Sequence, residues 1–129
     1  MMERIAIAAQ PRPRMLAAIR TIRGRGLRTA ALTNNWRGDG TREREWLRSA
    51  FDVVVESAVE QIRKPDPRIY QLALERLGVV ATETVFLDDI GRNLKPAREL
   101  GMITIKVEDE AQALGELADA LGFALDGVA

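Results

Sequence analysis

Three polar clusters in this chain have the residue types for chemistry: Thr33-Asn34, Lys64 and Asp88-Asp89. Together they offer a hydroxyl, a carboxamide, an ammonium and two adjacent carboxylates. Carboxylate oxygens suit a hard divalent cation, and an ammonium beside hydrogen-bond donors suits a phosphoryl group. The set reads as a magnesium and phosphate site; the competing reading is that strands simply end in polar residues. The 129 residues include no histidine and no cysteine. Their absence excludes Ser-His-Asp and Cys-His catalysis, His- or Cys-ligated metals, thiol nucleophiles and disulfides.

For these clusters to meet, the ends of several strands must lie side by side, and the hydropathy pattern supplies the strands. Pro13 to Gly24 reads as a helix with Leu16, Ala17, Ile19 and Ile22 at helical spacing, stopped by Gly24 and Gly26. Thr29–Thr33 reads as a buried strand ending in Asn34-Asn35, and Asp52–Glu56 as a second, β-branched one. Trp36–Ser49 starts as a loop and finishes as a short helix carrying Trp46 and Leu47. Asp66-Pro67 has the form of a helix start, with Asp as N-cap and Pro at the first position, and Gly78 closes that helix. Thr84–Leu87 is a third strand running into Asp88-Asp89; Asn93 is placed as the cap of the next helix, which Gly101 ends. Met102–Val107 is a fourth strand, and Asp109 caps a last helix with Ala111, Leu114, Leu117, Ala118 and Leu121 facing inward. Strict alternation of strand and helix predicts a parallel sheet with crossover helices, an α/β three-layer, Rossmann-like fold. In such sheets ligands bind beyond the carboxyl ends of the strands, where all three clusters fall.

The balance of the chain is ordinary for one globular domain: 47% hydrophobic, 29% charged, nineteen basic residues against nineteen acidic. Residues 1–50 hold eleven arginines against four acids, but Arg14, Arg20, Arg23, Arg25 and Arg28 interleave with apolar residues, as on a solvated helix face. A nucleic-acid partner is therefore not expected. No apolar run approaches the ~20 residues of a membrane span, and the start does not read as a signal peptide. The expectation is a cytoplasmic protein with no membrane partner.

Leu32-Thr33-Asn34-Asn35, Lys64-Pro65-Asp66-Pro67-Arg68-Ile69-Tyr70 and Val85-Phe86-Leu87-Asp88-Asp89-Ile90-Gly91-Arg92-Asn93 resemble motifs II, III and IV of the haloacid dehalogenase-like hydrolase superfamily. The likeness is to the phosphatase domains at the N-terminus of soluble epoxide hydrolases and to relatives fused to acyl-CoA dehydrogenases. It continues through Asn93–Met102 and covers roughly residues 11–122. The resemblance implies that Thr33 and Asn34 hold phosphoryl oxygens and that Lys64 neutralises phosphate charge. It makes Asp89 a direct magnesium ligand, with Asp88 beside it. A phosphorylated small molecule would be the substrate and Mg2+ the cofactor.

The family pattern also has a first motif, Asp-x-Asp, whose first Asp is the nucleophile and second the acid/base, followed by a cap domain. Here no Asp precedes Asp39. The favoured reading makes residues 1–12 a remnant of the cap linker and 13–129 a partial core domain, truncated at the N-terminus. The alternative is that Ile5–Ala9 substitutes for the missing central strand. Without the nucleophile the chain is expected to be inactive on its own. The rival function is a non-catalytic interaction module, or an oligomer pairing through exposed sheet edges, with the missing segment supplied in trans.

Overall fold

The computed structural model describes residues 5–8, 13–34, 48–123 and 125. Five parallel strands form one sheet: β1 (Ile5–Ala8), β2 (Thr29–Thr33), β3 (Val53–Glu56), β4 (Thr84–Asp88) and β5 (Ile103–Lys106), in the order β3-β2-β1-β4-β5. The helices among the described residues include α1 (Pro13–Gly24), α2 (Ser57–Glu60), α3 (Pro67–Leu77), α4 (Gly91–Leu100) and α5 (Glu110–Leu121). The three-layer α/β architecture is the one expected from the alternation of elements.

Period-two alternation sorts the strands' side chains onto two faces. Ala31, Val85, Leu87 and Ile105 pack with Met15, Ala18, Ile19 and Ile22 of α1 and with Ala113, Leu114, Leu117 and Leu121 of α5. Ala30, Leu32, Val55 and Phe86 pack on the opposite side with Ile69, Tyr70, Ala73 and Leu77 of α3 and Leu94 and Ala97 of α4. All five residues of β4 are buried, as a strand covered on both faces requires.

The segment Ile5–Ala8 takes the second of the two roles open to it. It is the central strand, pairing with β2 from Ala6↔Thr29 to Ala8↔Ala31 and with β4 from Ile5↔Thr84 to Ala8↔Leu87. The cap-remnant reading of this segment therefore does not describe its local structure. The physical reason is backbone accounting. An empty slot between β2 and β4 would leave two rows of unpaired amides and carbonyls inside the sheet, a larger penalty than the weak strand propensity of two alanines.

Local signals set several helix ends as read. Asp66 caps α3 by accepting from the Arg68 amide at 3.0 Å, with Pro67 at the first position. Gly78 ends α3 at φ 72°, where a Cβ would also stand 3.0 Å from an Arg28 guanidinium nitrogen. Asp109 and Gln112 form a reciprocal capping box on α5. Three placements differ. Asn93 is not the cap of α4, which begins at Gly91 after an Ile90 cap with no side-chain bond. In α5 Ala113 rather than Ala111 is buried, and in α1 the buried stripe is Met15-Ala18-Ile19-Ile22, one step round from the expected face. The expected loop and helix through Trp36, Trp46 and Leu47 lie outside the described residues.

Candidate functional site

β2 ends in half-buried Thr33, and Asn34 follows. The Asn34 carboxamide reaches across to the loop before α3. Its Oδ1 accepts from the Lys64 main-chain N–H at 2.8 Å, and its Nδ2 donates to the Lys64 carbonyl at 3.1 Å. From that anchored backbone the Lys64 side chain extends to Asp88 at the end of β4, where Nζ donates to Oδ2 at 2.9 Å. These side chains are 4% and 1% exposed, so the pair is almost wholly buried. Lys64 thus joins the two strands that flank β1.

Asp88 is fully engaged. Its Oδ1 accepts from the Ile90 amide at 2.8 Å, and Oδ2 also accepts from Asn93 Nδ2 at 3.2 Å. Three donors around one buried carboxylate fix its orientation. One bond to Asp88 leaves two of the Lys64 ammonium's three protons for an incoming anion. Asp89, the next residue, is exposed, and its carboxylate has no hydrogen bond or ion pair to another described residue.

Behind this set stands a second line of support that sequence reasoning missed. The Tyr70 hydroxyl donates to the Asn93 carbonyl at 2.5 Å, and its ring meets Phe86 edge-on at 5.2 Å between centroids. Asn93 is no cap; in the first turn of α4, its side chain turns back to Asp88. The available signal was its spacing from Asp88, which sets a short polar side chain on the first turn of the following helix. Glu56 is a further buried acid at the same end of the sheet, opposite Thr33 in register, with an Arg48 guanidinium nitrogen 3.6 Å away. Asp66 does not join the site; it caps α3 and pairs with Arg68 at 2.7 Å. The large cleft of about 770 Å³ lies at the other end of the strands, lined by Arg20, Arg23, Arg28 and Asp52. Two of its arginines are internal ties: Arg23 binds the Ser49 and Ala50 carbonyls and Asp52, and Arg28 binds the Leu77 carbonyl.

Burial, and secondarily the negative charge of Asp88, push the Tyr70 hydroxyl's pKa well above its ordinary value of 10.0. The folded chain therefore keeps this proton to higher pH than the unfolded chain does. The contribution to stability is complete below about pH 10 and is lost as pH climbs beyond it, by up to about 1.4 kcal/mol per pH unit. Tyr70 is the single tyrosine, so ultraviolet titration reports it alone. The expected result is no tyrosinate step in the folded protein near pH 10, ionisation arriving only with alkaline unfolding. A freely titrating phenol in the native state would contradict this burial.

The donor chemistry can be tested against magnesium. Among the described residues no three His, Cys, Asp or Glu side chains converge. Magnesium is commonly held by one or two carboxylates, with waters and substrate phosphate completing its shell, and Asp89 fits as such an anchor. Asp88, with both oxygens already accepting hydrogen bonds, fits better beside the ion than on it.

Fold and site together define a three-layer α/β domain with a buried Lys–Asp pair at the carboxyl end of its parallel sheet. The chain belongs to the haloacid dehalogenase-like hydrolase family, whose model matches residues 2–101. It is 52% identical over 114 residues to mouse acyl-CoA dehydrogenase family member 10, covering 88% of this chain and 11% of that protein. It is 45% identical over 117 residues to pig bifunctional epoxide hydrolase 2, covering 86% and 21%. A Mycobacterium tuberculosis phosphatase is 38% identical over 125 residues, covering 92% and 58%. The chain thus spans only a small part of the first two. Among solved structures, an uncharacterized Corynebacterium glutamicum protein shares the fold at TM-score 0.83 and 19% identity, over 95% of this chain and 97% of that one. A Bacteroides thetaiotaomicron enzyme of the family, solved with magnesium and inorganic phosphate, matches at TM-score 0.57 and 23% identity over 76% and 54%. Among the described residues no helix is long and apolar enough to cross a membrane.

Proposed function

We propose that this chain carries the cation- and phosphate-binding part of a phosphomonoester hydrolase site, and that the 129 residues alone bind without turning over. The observation that carries the reading is the buried Lys64–Asp88 pair beside exposed Asp89 at the carboxyl end of the sheet. Thr33 and Lys64 would take phosphoryl oxygens and Asp89 would hold magnesium, which when bound supplies neutralisation of phosphate charge. Phosphoryl transfer depends mainly on such positioning and neutralisation. The covalent route additionally needs a carboxylate nucleophile. The sequence places Ala8, Ala9 and Gln10 at and after the end of β1, with no acid among them. The phosphatase among the relatives and the phosphate complex among the structural neighbours support the substrate class. Association with another chain through the sheet would have to use the outer strands β3 and β5, since both edges of β1 are paired.

The test is calorimetric titration with inorganic phosphate in the presence and absence of magnesium, alongside hydrolysis of p-nitrophenyl phosphate. Magnesium-dependent phosphate binding that Asp89→Ala abolishes is expected, with no hydrolysis above background. Phosphate binding that ignores magnesium and Asp89 would refute the site. Hydrolysis well above a Lys64→Ala control would refute the absence of turnover.

A further inference from the structure

We infer that the Asn34 side chain is a positioning residue that acts on Lys64 and does not itself hold the phosphoryl group. The inference deepens the phosphate reading above and rests on it only where affinity is concerned. A carboxamide has one oxygen and one NH2 group, and here the oxygen takes the Lys64 N–H while the nitrogen serves the Lys64 carbonyl. One side chain thus pairs both main-chain groups of one residue, as a neighbouring strand would. No other described residue bonds these two groups. The nearby backbone bond joins the Asp66 amide to the Arg63 carbonyl and passes Lys64 by. Buried main-chain groups require partners, so the path of the loop at Lys64 is set from β2 by Asn34.

The consequence runs outward along the side chain. The Lys64 ammonium reaches Asp88 at 2.9 Å only if its Cα is held at the right distance from β4. Releasing the backbone lets the ammonium wander from the position where it meets both Asp88 and an anion. Asn34 would then control phosphate affinity without touching phosphate. Outer partners that orient a ligating group typically change affinity about 10–100-fold when removed, and the same range is expected here.

The experiment uses the intact chain, with wild type, Asn34→Ala and the milder Asn34→Asp, which keeps an acceptor for the Lys64 N–H but loses the donor to its carbonyl. Three quantities are read: hydrogen exchange of the Lys64 amide and the NMR shift of its ammonium nitrogen, both without phosphate, then affinity for inorganic phosphate with magnesium. In Asn34→Ala the amide loses protection and the ammonium signal moves before any phosphate is added, and affinity falls about tenfold or more. In Asn34→Asp the amide stays more protected than in Asn34→Ala. A fall in phosphate affinity with both ligand-free signals unchanged would show direct contact and overturn the inference. If wild type binds no phosphate the functional reading fails, while the two ligand-free signals still decide what Asn34 does.

Discussion

Asp88→Ala is expected to destabilise the fold by about 3–5 kcal/mol, while Asp89→Ala, one residue on, changes stability by no more than about 0.5 kcal/mol. The difference is one of environment. Removing the Asp88 carboxylate strands a Lys64 ammonium whose side chain is 4% exposed and orphans the Ile90 amide and the Asn93 amide nitrogen. Asp89 faces solvent and loses nothing that water cannot replace. Transfer into low dielectric costs each ion several kcal/mol, so the intact pair adds little net stability, but half a pair is very unfavourable. Replacing both, as Lys64→Met with Asp88→Leu, should therefore cost less than Asp88→Ala alone, a non-additivity expected of contacting residues. Urea melts of the four proteins decide it; equal shifts for the two aspartate variants would mean that Asp88 is not held as described.

Ile7→Pro is the second large effect. Ile7 lies in the middle of β1, opposite Ala30 on one side and Phe86 on the other. Proline removes a ladder donor and its ring crowds the paired strand, which parallel sheet interiors do not tolerate. A loss of about 3 kcal/mol or more is expected, enough to abolish the cooperative melt of a marginal domain. If residues 1–12 instead packed outside the sheet as a helical remnant, this proline would leave the core intact. A melting midpoint close to wild type would sink the central placement of β1.

What the sequence made legible was local. The cap at Asp66, the proline after it, the glycine ends of α3 and α4 and the Asp109 cap of α5 each depend on a few neighbouring residues, and all stand where those residues place them. Thr33 and Asp88 were legible as strand ends, because these follow from strand boundaries, whereas Lys64 lies in the loop before α3 and meets Asp88 only through the fold. The pairing of Ile5–Ala8 was not, since four apolar residues carry no period that separates strand from helix. Its place was decided by backbone groups of β2 and β4, far away in sequence. Asn34 and Asn93 show the same limit. Asn93 bonds Asp88, five residues away, instead of capping α4, and the Asn34 side chain bonds the main chain of Lys64, 30 residues away, pairings that no local pattern encodes.

The position of β1 also bears on how the polypeptide is made. The strand leaves the ribosome ahead of both its partners, one of which is β4, with Ile5 opposite Thr84. At ordinary translation rates that partner arrives on the order of seconds later. Throughout that interval the nascent β1–β2 pair presents a bare hydrogen-bonding edge, so the growing chain is open to chaperones, or to strands of other nascent chains, at the place where the finished domain is most enclosed.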